Sequence, residues 1–261
     1  MYTKAKKRLG QNFLIDKNIQ NKIIAAFELK SSDYILEIGS GRGELTKLIA
    51  PNVSKVYALE IDSWLCEVSR INLKSYSNVE IINKDILKFD ITKHLLGFRN
   101  RIKVVGNIPY YITSPIIEHL LKTPVILDMV FITVQKEFAK RMVSSSGSKE
   151  YGSFSCFVQY YTEPKILFYI KKSCFSPEPK IDSCLLRMNI KHKPILNQKQ
   201  ERLFFKIIRA AFNQRRKTLR NSLKDILPRK QLEIFYSKYN INPNIRPEQL
   251  DLKDFINLTN T

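Results

Sequence analysis

The sequence predicts an α/β fold, with a doubly wound, mostly parallel sheet followed by a smaller all-helical unit. Three observations predict it. Between about residues 34 and 143, apolar runs of strand length alternate with amphipathic segments of helix length, the pattern of a parallel sheet covered on both faces. The first run, Tyr34 to Ile38, breaks into Gly39-Ser40-Gly41-Arg42-Gly43 and leads at once into Glu44 to Ile49, which reads as strand, tight turn and helix. Beyond about residue 193 the strand pattern ends, and apolar residues recur at helical spacing.

In chain order, Met1 to Arg8 is polar and basic, and residues 1–12 read as a mobile arm that orders on contact with phosphate or a cofactor. Gln11-Asn12-Phe13-Leu14 then sets amides beside apolar residues, just ahead of a helix that Asp16 caps and that buries Ile19, Ile23, Ile24 and Phe27. A plain turn packing Phe13 and Leu14 onto the domain accounts equally well for this stretch. Strands are expected near 34–39, 54–59, 79–82, 102–106 and 126–134, and helices near 44–49, 63–73, 114–122 and 136–143. Tyr151 to Tyr161 reads as a helix dressing the sheet with core aromatics, and strands near 165–171 and 183–190 complete seven.

The glycine turn is a nucleotide cradle. Glycine serves where the backbone needs positive φ or a ligand must approach closely, and the helix start presents N–H groups. Its spacing is E-x-G-x-G-x-G from Glu37, because Glu44 stands where the dinucleotide fingerprint would place its last glycine. About twenty residues on, the next strand ends at Glu60, where a carboxylate meets ribose hydroxyls. The third strand delivers Asp85 to the same carboxyl edge. The residues alone leave open whether the ligand is a flavin, a nicotinamide or a methyl donor.

The fourth strand delivers Asn107-Ile108-Pro109-Tyr110 to that edge. Pro109 stiffens the turn and biases Ile108 to an extended conformation, with its carbonyl outward. An exocyclic amine such as adenine N6 is a poor nucleophile because its lone pair is delocalised into the ring. Two acceptors, the Asn107 side-chain oxygen and a backbone carbonyl, would hold both its protons and favour a pyramidal nitrogen, while Tyr110 stacks on the base. The bland alternative is an Asn-Pro turn with a packed tyrosine.

Composition bounds the partner. The 261 residues carry 44 Lys and Arg against 24 Asp and Glu, a formal charge of +20 that points to a polyanion. Four cysteines without C-x-x-C spacing and three scattered histidines suggest neither a metal site nor a disulfide framework. Nothing resembles a signal peptide or a transmembrane run, so a cytoplasmic, soluble, monomeric protein is expected, with no membrane partner. After a linker at Lys191 to Asn197, Leu203, Phe204, Ile207, Ile208, Ala211 and Phe212 form an apolar helix face. Lys199, Arg202, Lys206 and Arg209 form a basic stripe beside it, continued by Arg215, Arg216, Lys217, Arg220 and Lys224. Such a stripe suits an RNA backbone.

Five motifs, in order across nearly the whole chain, resemble one family. They are Lys7 to Leu14, Leu36 to Gly43, Asn107 to Tyr110, Phe175-Ser176-Pro177-Glu178-Pro179-Lys180-Ile181-Asp182-Ser183, and Asn213 to Arg220. Together they are similar to the ribosomal RNA adenine N6,N6-dimethyltransferases, and most closely to the KsgA-type small-subunit branch. The resemblance implies a Rossmann-like class I fold that binds S-adenosylmethionine, releases S-adenosylhomocysteine and needs no metal. Gln11, Asn12 and Leu14 would then close over the methionine end, and Gly39 and Gly41 would admit it. Glu60 would take the ribose and Asp85 with Ile86 the adenine, and Ile61 and Asn107 would also touch the cofactor. Asn107, Pro109 and Tyr110 would hold the target base, with Phe175 as its second stacking face, although an aromatic before Ser-Pro is also a common core anchor. Lys180 meets phosphate or solvent, and Arg209, Arg215, Arg216, Lys217 and Arg220 would bind RNA. The implied organisation is a catalytic domain at 1–192 and a helical RNA-binding domain at 193–261.

The implied reaction is dimethylation of two adjacent adenines in the 3′-terminal hairpin of 16S rRNA, within the 30S subunit or its precursor, with a role in subunit biogenesis. Three rivals share features. A large-subunit adenine methyltransferase of the resistance kind has the same cradle, but the Asn213 to Arg220 motif argues against it. A DNA adenine methyltransferase would have a second proline at Ile108. An assembly factor would use the basic surface for docking, with methylation secondary.

Overall fold

The computed structural model of the chain describes residues 10–95, 101–193, 195–214 and 216–261. The expected arm up to Leu9, Pro194 of the linker and the expected RNA contact Arg215 lie outside the described residues. The elements run β1 (Phe13–Leu14), α1 (Lys17–Ala26), β2 (Tyr34–Ile38), α2 (Glu44–Ile49), β3 (Lys55–Glu60), α3 (Ser63–Asn72), β4 (Val79–Asn83), α4 (Ile91–Leu95), β5 (Ile102–Asn107) and α5 (Thr113–Leu120). They continue with β6 (Leu127–Gln135), α6 (Lys136–Val143), α7 (Ser153–Tyr161), β7 (Thr162–Ile170), β8 (Phe175–Ser176) and β9 (Ser183–Ile190). The last four are α8 (Gln198–Phe212), α9 (Leu219–Leu223), α10 (Arg229–Lys238) and α11 (Leu252–Thr259).

The chain divides into two compact units, Met1–Ala139 with Glu163–Ile190, and Lys140–Thr162 with Lys191–Thr261. The first is built on a seven-stranded sheet of order β4-β3-β2-β5-β6-β9-β7. Ile35, Leu36, Val56, Ala58, Val104, Val105 and Phe131 are almost wholly buried, so these strands must be covered on both faces. The strands from β4 through β6 run parallel, and β9 then lies antiparallel against β6. Because the chain winds from β2 out to β4 and returns beside β2 as β5, the strand order reverses between them. Ligands bind outside the carboxyl ends of strands at such a point.

Register lines up that edge. Ile38 of β2 pairs with Leu59 of β3 and Gly106 of β5, and Glu60 pairs with Asn83 of β4, so the turns after all four strands emerge together. At the opposite end of β5 the Lys103 Nζ donates 2.7 Å to the Glu28 carbonyl and 2.8 Å to Asp33 Oδ2. This buried cation thereby satisfies the end of α1 while losing no partner.

Two features differ from the sequence expectation. A second, two-stranded sheet pairs β1 with β8, Phe13 opposite Ser176 and Leu14 opposite Phe175. And α7 belongs to the helical unit and not to the unit of the sheet. Tyr151, Cys156 and Tyr160 are buried in a cluster with Phe204, Ile207, Ile208, Leu219, Phe235 and Phe255, so the helical unit draws residues from before β7 as well as after residue 190. The reason is apolar content: a short C-terminal bundle gains core area from these aromatics. Within it α8 starts at a capping box, with Asn197 and Gln200 each accepting the other's backbone N–H at 3.0 Å.

Candidate active site

A cleft opens at the carboxyl edge of β2, β3, β4 and β5. Its floor is the glycine turn. Gly39 and Gly41 take φ of 73° and 60°, which a side chain would strain. A Cβ on Gly41 would stand 3.4 Å from the Phe13 ring. The turn is tied down on every side: Gly39 N–H donates to the Leu59 carbonyl at 2.8 Å, Gly41 N–H to Glu60 Oε2 at 2.9 Å, and Asn72 Nδ2 of α3 to the Arg42 carbonyl at 2.9 Å.

Glu60 ends β3 with both carboxylate oxygens accepting backbone hydrogen bonds, Oε1 from Asp62 N–H at 2.9 Å. Burial raises its pKa, and those hydrogen bonds pull it back. Beneath the turn lies a second acid. Glu37 is fully buried, accepts from the Thr46 hydroxyl at 2.6 Å, and is pushed up to about 8 by burial, with the charge of Glu60 adding to the shift. Asp85 caps the turn after β4 by accepting from Leu87 N–H at 2.9 Å. Ile61 and Ile86 line the cleft beside these acids, giving apolar walls next to hydrogen-bond acceptors.

The far wall is the turn after β5. Asn107 Nδ2 donates to the Asn12 carbonyl at 2.8 Å, which fixes the amide and leaves Oδ1 with no hydrogen bond among the described residues. Gln11 and Asn12 therefore lie over the cleft together with Gly10. Pro109 takes φ −61° and ψ 133°, and Tyr110 follows in a single 3-10 turn. The Tyr110 hydroxyl shares a 2.5 Å hydrogen bond with Ser183 Oγ at the start of β9. Burial raises its pKa, so Tyr110 acts as a neutral ring.

The structure thus brings Gln11, Asn12, Gly39, Gly41, Glu60, Ile61, Asp85, Ile86, Asn107, Pro109 and Tyr110 to one cleft. Two expected residues are elsewhere. Phe175 is 3% exposed and packs in the sheet core, so it is a core anchor in this structure. Leu14, opposite it across the small sheet, is 6% exposed in the same core. Neighbouring residues of a strand point to opposite faces, so with Leu14 inward it is Phe13 that lines the cleft, under the Arg42 guanidinium at 5.1 Å. Phe13 and Tyr111 also line the cleft, which the sequence did not show; the run Gln11 to Leu14 signals the segment but not which of its faces turns to the cleft.

The arrangement fits S-adenosylmethionine. A glycine cradle that a Cβ would fill, an acid at the ribose position, apolar walls and an acid at the adenine position match its parts in order. Among the described residues no group of three or more His, Cys, Asp or Glu is placed to hold a metal, and all four cysteines are buried free thiols.

In the helical unit, the exposed Arg202, Lys206 and Arg209 of α8 line a groove with Ser153 and Asn213. Lys217 and Lys224 line another with Asn213 and Asn221. Arg216 is exposed, as is Lys180 in the first unit. Arg220 is turned partly inward: its Nε is buried without a hydrogen bond among the described residues, and its charge opposes the burial that raises the Tyr236 pKa.

A model of the ribosomal RNA adenine dimethylase family matches residues 2–261. The chain is 44% identical to ribosomal RNA small subunit methyltransferase A of Caldanaerobacter subterraneus subsp. tengcongensis, over 98% of this chain and 97% of that one. It is 39% identical to the protein of the same name from Clostridium botulinum, over 97% and 92%. Among solved structures, a dimethyladenosine transferase from Plasmodium falciparum superposes with a TM-score of 0.81 at 27% identity, covering 94% of this chain and 95% of that one. The 23S rRNA methyltransferase ErmE superposes with a TM-score of 0.76 at 24% identity, covering 95% and 98%, a likeness of fold.

Proposed function

The chain belongs to the ribosomal RNA adenine dimethylase family, and we propose that its target is a pair of adjacent adenines in the 3′-terminal hairpin of 16S rRNA, presented by the small ribosomal subunit or its precursor. It is a transferase of the class I fold, and S-adenosylmethionine is its methyl donor. The relatives at 39% to 44% identity are named for the small subunit, which supports that target over the large one. In this reading the protein works in the cytoplasm as a monomer, modifies subunits as they are assembled, and takes no metal.

One observation carries the chemistry: Asn107 spends its amide N–H on the Asn12 carbonyl and keeps Oδ1 for the cleft. That oxygen accepts one N6–H of the target adenine, and the carbonyl of Ile108, held extended by Pro109, accepts the other. Holding both protons out of the ring plane draws the nitrogen lone pair toward the reacting carbon. The cofactor supplies an electrophilic methyl group on a cationic sulfur. No strong base is needed at N6, because its proton becomes acidic only as the new bond forms. Tyr110, anchored through Ser183, stacks on the adenine. Glu60 accepts the ribose hydroxyls, while Asp85, Ile61 and Ile86 hold the cofactor's adenine. The basic grooves of the helical unit, with Arg209 and Lys217, hold RNA phosphates, as do the exposed Arg216 and, in the first unit, Lys180; we assign Arg215 and Arg220 the same role.

The test is transfer of labelled methyl from S-adenosylmethionine into unmethylated small subunits, large subunits, naked ribosomal RNA and duplex DNA, with the modified base mapped. Label confined to small-subunit particles, as N6,N6-dimethyladenine at two neighbouring positions, is the expected result. Label in large-subunit RNA would transfer the case to the resistance-type relative. Tight small-subunit binding without label would make assembly the primary role.

A further inference from the structure

Among the described residues three aromatic rings line the cleft, and Tyr111 is the most exposed of them. Phe13 lies half-buried against Gly41 beneath Arg42. Tyr110 is half-buried with its hydroxyl committed to Ser183. Tyr111, the next residue in the same 3-10 turn, is 61% exposed at the cleft, and its hydroxyl has no hydrogen bond among the described residues. Its Cε1 and Cδ1 lie 2.9 and 3.0 Å from where a Cβ on Gly10 would stand, and Gly10 itself takes φ +57°. A glycine there lets the ring edge come close to the backbone at the mouth of the cleft, with the residue still 61% exposed.

We propose that Tyr111 is a positioning residue that stacks on the nucleotide flanking the target adenine. The inference rests on the RNA-methylating role proposed above. An adenine reaches Asn107 only after leaving its stack, which strands the neighbouring base. Single-stranded bases are held chiefly by aromatic faces, and such stacking is indifferent to base identity. Tyr110 is one residue deeper, so one turn carries a ring for the base in the cleft and a ring for the base outside it. Where the two targets are adjacent, Tyr111 keeps the second adenine at the mouth while the first reacts.

Tyr111→Ala and Tyr111→Phe, assayed with unmethylated small subunits at saturating cofactor, test this. Stacking of one base is worth about 1–3 kcal/mol, so Tyr111→Ala should raise KM for the subunits roughly tenfold, with kcat changed much less. Tyr111→Phe keeps the ring and should restore KM. Cofactor Kd, measured by calorimetry without RNA, should stay within about twofold, which separates stacking from a merely structural grip on the segment Gly10 to Asn12. An unchanged KM in the alanine variant, an equal defect in the phenylalanine variant, or a cofactor Kd rising in step with KM would each overturn the proposal. A wild-type protein that leaves small subunits unlabelled would instead sink the underlying reading.

Discussion

At the scale of single residues, Asn107 and Glu37 show how the cleft divides labour between chemistry and support. Asn107 donates through Nδ2 to the Asn12 carbonyl and, in the proposed mechanism, offers Oδ1 to the target amine, so Asn107→Ala removes two different things. Loss of the bond to the Asn12 carbonyl, worth about 1 kcal/mol, should weaken cofactor binding roughly fivefold. Loss of the acceptor for the reacting amine should lower kcat/KM by about a hundredfold or more. Calorimetry and single-turnover transfer would read the two effects apart, and equal losses in both would remove Asn107 from the chemical step. Glu37 acts on stability instead. Burial raises its pKa from 4.5 to about 8 in the folded protein. Between those values the native state holds a proton that the unfolded chain has released, so this carboxyl favours folding fully only below about pH 4.5, and its support drains away as pH rises toward 8. The slope is about 1.4 kcal/mol per pH unit. Glu37→Gln keeps an acceptor for the Thr46 hydroxyl and cannot ionise. Its thermal stability relative to wild type should therefore climb from pH 5 to pH 8.5, and a difference independent of pH would show that Glu37 titrates normally.

At the scale of elements, the cleft depends on how closely β2 and β5 approach at its edge. A Cβ on Gly106 would stand 2.8 Å from the Ile38 carbonyl and 3.1 Å from the Ile108 side chain. Backbone cannot yield there as a flexible side chain would. Gly106→Ala should push the strands apart just below Gly39 and Asn107, costing about 1–3 kcal/mol of stability and weakening cofactor binding in calorimetry. An unperturbed melting temperature would mean the two strands are looser than their register implies. Elements of this kind were legible in the sequence, because fully buried parallel strands leave unbroken apolar runs and their turns leave glycines, acids and Asn107-Ile108-Pro109-Tyr110 at fixed places. The elements that were not legible are those defined only by partners. Two residues of β1 and two of β8 are too few to show a period, and their pairing decides that Phe13 faces the cleft while Leu14 and Phe175 go to the core. Likewise α7 looks amphipathic from either side, and only its burial against Phe204 assigns it to the helical unit.

At the scale of the whole molecule, the formal charge of +20 has to be assigned to surfaces before it means anything. Among the described residues, the cleft is walled by the first unit and carries acids, amides and apolar side chains, with Lys84 the one cation lining it. The groove of Arg202, Lys206 and Arg209 belongs to the second unit and carries no acid. Cofactor recognition at the cleft and the RNA attraction proposed for this groove should therefore respond separately to salt. Each cation seated on a phosphate releases about 0.7–0.9 of a counterion, so the logarithm of affinity falls with the logarithm of salt by that much per contact. Replacing Arg202, Lys206 and Arg209 together by Gln should make the slope for small-subunit binding shallower by about 2 to 3. Cofactor Kd and its salt dependence should be those of the wild type. Gln keeps the stems that cover α8 and leaves its apolar face, with Phe204 and Ile207, untouched, so the helical unit retains its core. A slope equal to the wild type, measured with a folded triple variant, would mean that the RNA backbone does not cross this groove and that the charge serves only long-range attraction. A shallower slope accompanied by a weaker cofactor Kd would mean that the two units do not recognise their ligands independently.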